Sequence, residues 1–424
     1  MKNIPAFVEE DYMTTKENYL SKIEYELKQI TYFDGTVDKI CKEWKDTDYE
    51  IKTSKLGKEL RKRSSVKKLL PKDIVEEGED LKRAKKIFDF VQENYTWNGY
   101  YLFFENISVK DLIQVKTGNI GSINTLLHNL LKESGFEVYP VISSTREKGL
   151  PTKLFPVLSE FNYLLVKILI DGKEYFLDAS DKYVSFGLLP FRCLNQYGRQ
   201  LNFKKESEWV SIEYSKNSMN YTAFDLKFVS PSKIEGTLKT GYTGYHALDK
   251  KKEYYPNPEN YIQKLDDKNE NFELTNYALT SKGFEDSYFK EQISISREFE
   301  INARNGIFLD PFFCKLFTEN PFKLQERTFP VDFGYKDSYV YSLSLDVGEF
   351  YEIKEILKDY KMRFPDGKAE AMLTSKIMGS KLILYFKVEF KDSIYEPNMY
   401  TPLKSIMEKC VSTQLNSIVV LNKK

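Results

Sequence analysis

The sequence predicts an α+β protein in two parts, a mixed helix-and-strand core followed by a C-terminal antiparallel β-sandwich. Three observations carry this. At 424 residues the chain is longer than one ordinary hydrophobic core supports. Up to about residue 203, segments of helical period alternate with segments of strand period. From about Lys204 onward most patterned segments alternate with period two. The expected divisions are a short strand and linker over 1–34, a core over 35–203 and a sandwich over 204–424.

In chain order, KIEYELK (22–28) places Ile23, Tyr25 and Leu27 on one face of a half-buried strand. Thr36 is a candidate N-cap for a helix carrying Val37, Ile40, Cys41 and Trp44 at i, i+3, i+4 and i+7. The basic residues of 52–68 precede an acidic run at Glu76, Glu77, Glu79 and Asp80, which suits solvated, mutually paired surfaces better than a docking patch. A helix over 80–94 aligns Ala84, Ile87, Phe88 and Val91. A second begins near Asn119, turns Ile123, Leu126, Leu127, Leu130 and Leu131 inward, and stops at Gly135.

Strands are expected next at 136–143 and 162–170. Asp171-Gly172 is a two-residue hairpin signal that leads to the return strand 173–180. That turn pairs Ile170 with Lys173 and, further along, Tyr163 with Ser180. Asp178 then lies diagonally beside Tyr163 on the same face. The sandwich strands are expected at 222–229, 232–240, 271–279, 290–301, 338–346, 368–376 and 380–391, with helices near 257–265 and 398–414.

Composition excludes several classes. The 63 Lys and Arg balance the 63 Asp and Glu, so no basic field favours a nucleic-acid partner. No window approaches the roughly 18 uninterrupted apolar residues of a membrane span. Cys41, Cys193, Cys314 and Cys410 are scattered and only His128 and His246 are present, so neither a metal site nor a cofactor is expected. The 30 Tyr and 30 Phe suit half-buried strand faces more readily than the alternative, a carbohydrate or peptide platform.

A helix N-terminus, a strand and its hairpin partner, in that order, suit a Cys–His–Asp hydrolase or acyltransferase. The helix dipole lowers a thiol pKa, a histidine takes the proton, and a carboxylate orients the histidine. Here the positions hold Ile120, Tyr163 and Asp178. Isoleucine has no nucleophile, and a phenol of pKa about 10 is a poor base at neutral pH. Ser122, about 200° round the helix from Ile120, reads as a cap. His128 reads as a surface or second-layer residue and Cys193 as a small buried hydrophobe.

The segments YTWNG (95–99), TGN (117–119), INTLLHNLLKESGFEVYPVISSTR (123–146), FNY (161–163), YFLDASDKY (175–183) and LLPFRCLNQYGR (188–199) resemble the transglutaminase-like superfamily. NPFKLQERTFPVDFGY (320–335) resembles the C-terminal domain of bacterial members, in which the core sits between two β domains. The resemblance implies that the cysteine of the family's GNC or GDC motif falls at Ile120, after Asn119. The histidine of its FNH motif falls at Tyr163, the aspartate of its LDAT motif at Asp178, and a tryptophan near the nucleophile at Trp97.

The resemblance thus implies a transglutaminase-like core with a degenerate triad, lacking the preceding β domain of which 1–34 is the remnant. It would be a non-catalytic binding or structural protein of the periplasm or cell envelope, with a peptide, glycan or protein as partner. The 22–28 strand is then expected to pair with the C-terminal domain or another chain. The start MKNIPAFVEEDY has no signal-peptide stretch, so the expectation becomes cytoplasmic if Met1 is the natural start. The rival expectation is an amidase, protease or acyltransferase that uses the same cleft with a different nucleophile.

Overall fold

The computed structural model describes residues 7–23, 25, 27, 29–39, 43–62, 66, 68–101, 104, 106–268, 272–281, 283, 286–299 and 306–424. The chain is mixed α and β and forms two compact units. The first is built on Thr14–Tyr214, the second on Glu10–Met13 with Ser215–Lys424.

The first unit centres on the helix Ile120–Glu133. Asn119 caps its start, with Oδ1 accepting the Ser122 N–H at 2.8 Å. A Schellman turn ends it: Gly135 takes φ 91°, the Phe136 N–H donates to Leu131 O and the Gly135 N–H to Lys132 O. Every residue from Ile120 to Leu131 is buried, so the helix has no solvent face over that stretch. Polar residues on it find partners inside the unit. Asn129 Nδ2, for example, donates to Glu59 O at 2.9 Å.

The helix Asp80–Asn94 packs on one side, contributing Ile87, Phe88 and Val91 to a core shared with Ile123, Leu127, Leu130, Val166 and Ile168. On the other side lies a five-stranded antiparallel sheet in the order 173–177, 163–170, 137–143, 197–200, 208–211. Asp171 (φ 50°) and Gly172 (φ 72°) form the tight turn, and Ile170 pairs with Lys173 as the dipeptide predicts. A two-residue parallel bridge, Thr96–Trp97 with Thr117–Gly118, brings Trp97 to the start of the central helix.

The second unit is built on an eight-stranded sheet. Its centre is the strand Asn217–Ser230, which pairs antiparallel with Lys233–Thr243 and parallel with Lys336–Asp346. Phe224, Leu226, Leu343, Leu345, Leu384 and Phe386 alternate onto one buried face. The helix Tyr400–Asn416 supplies Leu403, Ile406, Met407 and Cys410 to that core, and a three-stranded sheet (307–309, 419–423, 351–355) supplies Leu309, Tyr351, Val419 and Leu421.

Five expectations need correction. The C-terminal unit is not an antiparallel two-sheet sandwich: one large sheet with a central parallel pair is covered by a helix and a small sheet. Alternation reports that a face is buried, not what buries it. The first unit extends past residue 203, because Glu208–Ser211 pairs with Tyr197–Gln200 and the division falls at Tyr214. The helix read from Thr36 to Trp44 is replaced by a hairpin, Gln29–Thr31 with Val37–Lys39, and a helix starts only at Trp44. There the Asp34-Gly35 turn, with Asp34 Oδ1 accepting the Thr36 N–H, overrides the helical spacing; Ile40 and Cys41 lie outside the described residues. In the 22–28 segment, residues 24, 26 and 28 also lie outside them. Ile23, Tyr25 and Leu27 are in no strand and are exposed, so among the described residues this face has no ladder within the chain. The N-terminal residues that join the second unit are Glu10–Met13 instead. The central helix is capped by Asn119 and not by Ser122.

Candidate functional site

Ile120 begins the central helix and is fully buried. Its N–H, one of the orphan donors of a helix N-terminus, donates to the carbonyl of Tyr100 at 3.2 Å. The Trp97 indole N–H donates to the same oxygen at 3.0 Å. Two donors from separate elements that converge on one oxygen would suit a developing oxyanion. Here the chain's own carbonyl occupies them.

Trp97 also faces the other half of the site. The Arg192 guanidinium lies 4.5 Å from its ring, a cation–π contact, and 5.6 Å from the Tyr163 ring. Tyr101 meets the rings of both Trp97 and Tyr163, with centroids at 5.5 and 5.7 Å. The Tyr163 phenol donates to Asp178 Oδ2 at 2.6 Å and accepts from Arg192 Nε at 2.9 Å. Arg192 Nη2 donates to Ser180 Oγ at 2.9 Å and stands 3.8 Å from Asp178 Oδ2. The second carboxylate oxygen accepts from Asn124 Nδ2 and from the Ser180 N–H, each at 2.9 Å. Asn124 is itself held by Leu164 O and the Ala179 N–H. A buried carboxylate is thus well supplied with donors and balanced by one cation.

Electrostatics follow the burial. Desolvation, reinforced by the Asp178 charge, raises the Tyr163 pKa well above that of an ordinary phenol, so the hydroxyl stays protonated and acts as donor. Desolvation and Asp178 likewise push up the Cys193 thiol, whose sulfur lies 3.9 Å from Asp178 Oδ2. A thiol so placed is a poor nucleophile. Burial opposes the Arg192 charge, but the Asp178 carboxylate and the hydrogen bond accepted by Tyr163 outweigh it and raise its pKa.

The structure brings Tyr163, Asp178 and Trp97 into one network, and Ile120 joins it through the Tyr100 carbonyl. Arg192 and Asn124 are members that the sequence did not single out. Arg192 stands on the three-residue 3-10 turn Phe191–Cys193, where no periodicity marks it; its place in the family-like segment LLPFRCLNQYGR was the available signal. Ser122 Oγ accepts the Ser108 N–H at 3.3 Å. His128 is buried, with Nδ1 3.0 Å from Asn129 Oδ1, and is not a surface residue. Cys193 is buried as expected, but it is part of the polar network.

A cleft of about 380 Å³ opens beside the helix start, lined by Asn98, Asn106, Ser108, Asp111, Asn119 and Ser122 among others. Ile120, Tyr163 and Asp178 do not line it. Among the described residues no cluster of His, Cys, Asp and Glu could hold a metal ion, and no helix is long and apolar enough to cross a membrane.

The fold is α+β with mostly antiparallel sheets. A family model described as a domain of unknown function with a solved structure, DUF3858, matches residues 305–420. One similar solved structure is a protein from Parabacteroides distasonis ATCC 8503 described as a putative protease. It has 11% sequence identity and a TM-score of 0.48 over 89% of this chain. The chain spans 58% of that structure's length. No curated protein matches.

Proposed function

We propose that this chain is a non-catalytic transglutaminase-like protein, a pseudoenzyme that serves as a binding or structural component of the cell envelope. The supporting observation is the hydrogen-bonded chain Arg192–Tyr163–Asp178. A site that requires a base beside its carboxylate has there a phenol held protonated and a guanidinium that cannot accept a proton. Burial of Ile120 where a nucleophile is required agrees with it, as does the use of the Trp97 and Ile120 donors by Tyr100. The assignment to the envelope rests on the family resemblance.

The test is turnover. The purified chain is expected to release no ammonia and form no cross-link with glutamine-containing peptides and a primary amine, and to cleave no generic peptide or amide. Turnover that copurifies with the chain through successive columns would overturn the reading. The rival enzyme reading uses a different nucleophile in the same cleft, and Ser122 lines the cleft beside the helix start. In that case Ser122→Ala would abolish the turnover.

A further inference from the structure

Residues 10–13 are set apart from the rest of the N-terminal region and belong to the second unit. They form a tight turn, closed by the Met13 N–H donating to Glu10 O, with Tyr12 at φ 59°. The contacts are specific. Glu10 Oε2 pairs with Arg327 Nε at 3.1 Å, with both side chains almost completely buried. Glu10 Oε1 accepts the Thr328 N–H at 3.3 Å, and Arg327 Nη2 donates to Asp11 O. The Asp332 N–H donates to Tyr12 O at 2.8 Å. The Tyr12 ring meets Phe322 and Phe333 at 5.7 and 5.0 Å.

We propose that Arg327, Thr328, Asp332, Phe322 and Phe333 form a recognition site for an acidic–aromatic turn of the type Glu-x-Tyr, which residues 10–13 fill in cis and a peptide of the same chemistry fills in trans. Complementarity supports this. A buried guanidinium reads the carboxylate and a backbone carbonyl together, two main-chain N–H groups fix the turn, and two phenyl rings receive the phenol. The turn itself is strained and partly open at Tyr12. Tyr12 stands in the left-handed region, which a non-glycine residue adopts only with strain. Tyr12 keeps 42% of its surface exposed. A competitor can therefore displace it, against the advantage that the cis segment has from its tether.

The experiment uses the full chain and a fluorescein-labelled peptide, FVEEDYMTT, the sequence of residues 7–15. Glu10→Ala with Tyr12→Ala removes the carboxylate and the phenol and leaves only main-chain contacts to hold the cis turn in the site. That double variant is expected to bind the peptide saturably, at least tenfold more tightly than the native chain, in fluorescence anisotropy. The same peptide with both alanines should not bind, and adding Arg327→Met should weaken binding at least tenfold. If Arg327→Met does not fold, amide exchange at Thr328 and Asp332 replaces it. Exchange should speed up in the double variant and slow again with peptide. A folded double variant with no saturable binding, with binding indifferent to Arg327, or with those amides unaffected by peptide overturns the proposal. A concentration-dependent dimer of the native chain, lost in the double variant, would support it and identify a second copy's turn as one source of the trans ligand.

Discussion

The Tyr163 phenol donates to Asp178 across 2.6 Å while it accepts from Arg192, so one hydroxyl bridges a buried carboxylate and a half-buried guanidinium. Removing it leaves both charged groups short of a partner. Tyr163→Phe is therefore expected to destabilise the first unit by about 2–4 kcal/mol, the range for stranding buried charged partners. Amide exchange over Tyr163–Ile170 checks this. A change within about 0.5 kcal/mol, the usual effect of a surface substitution, would contradict it.

The same hydroxyl carries a pH signature. Its folded pKa is raised above the unfolded value near 10, first by burial and then by Asp178. As pH rises above about 10, the unfolded state loses this proton while the folded state keeps it, so the stabilisation fades with rising pH. Many other tyrosines contribute to the total. The difference between native chain and Tyr163→Phe isolates this one, and it should shrink as pH rises through about 10 and beyond. A difference that stays constant would refute the assignment.

The helix cap gives a sharper local test. Asn119→Ala should cost about 1–2 kcal/mol and Asn119→Asp much less, because a carboxylate also accepts the Ser122 N–H and suits the helix N-terminus. Exchange of the Ile123–Leu131 amides reads it. Equal losses in the two variants would exclude the cap.

Arg192→Ala removes the bonds to Tyr163 and Ser180 and the cation over Trp97. Because the side chain is 23% exposed, water can partly replace it, and the expected loss is about 2–3 kcal/mol rather than the full cost of a buried ion pair. Arg192→Lys should recover less than half, since an ammonium cannot fork between two oxygens while lying on an indole. Thermal melting followed by tryptophan fluorescence measures both. Full recovery by lysine would mean that only the charge matters.

Legibility in the sequence followed the range of the interactions. Asp171-Gly172 set the hairpin register; the ladder ends at Val166–Leu177, short of the expected Tyr163–Ser180 pair, yet Tyr163 and Asp178 still meet just beyond it. The 80–94 and 120–133 helices were visible in their apolar periods. The burial of Asn124, His128 and Asn129 on the nominally polar side was not, because the partners of Asn124 lie 40 or more residues away and the acceptor of Asn129 Nδ2, Glu59 O, lies on a separate segment. Arg192 is remote from Tyr163 in sequence and sits in a short turn, so nothing local marks it. In the second unit, strand spacing showed the sheet residues but not the parallel pairing of 217–230 with 336–346, which depends on where a long connection returns. The helix Gly244–Tyr254 went unread: it starts at a left-handed glycine and has only weak apolar periodicity.

The pseudoenzyme reading requires that Ile120 and Tyr163 stand where a thiol and its base would stand. The most direct measurement is the alkylation rate of a cysteine placed at position 120, read site by site by mass spectrometry near pH 6, with Cys193, Cys314 and Cys410 as internal controls. In Ile120→Cys alone only the helix N-terminus favours the thiolate. In Ile120→Cys with Tyr163→His, an imidazole oriented by Asp178 can hold the displaced proton, and the thiol pKa should fall from about 8.5 to below about 7. The double variant should therefore react with iodoacetamide at least tenfold faster than the single one, and faster again when Arg192→Gln removes the cation that opposes the imidazolium. A folded double variant whose introduced thiol is accessible, as shown by alkylation at pH 9, yet near pH 6 reacts no faster than that of Ile120→Cys alone would contradict this placement.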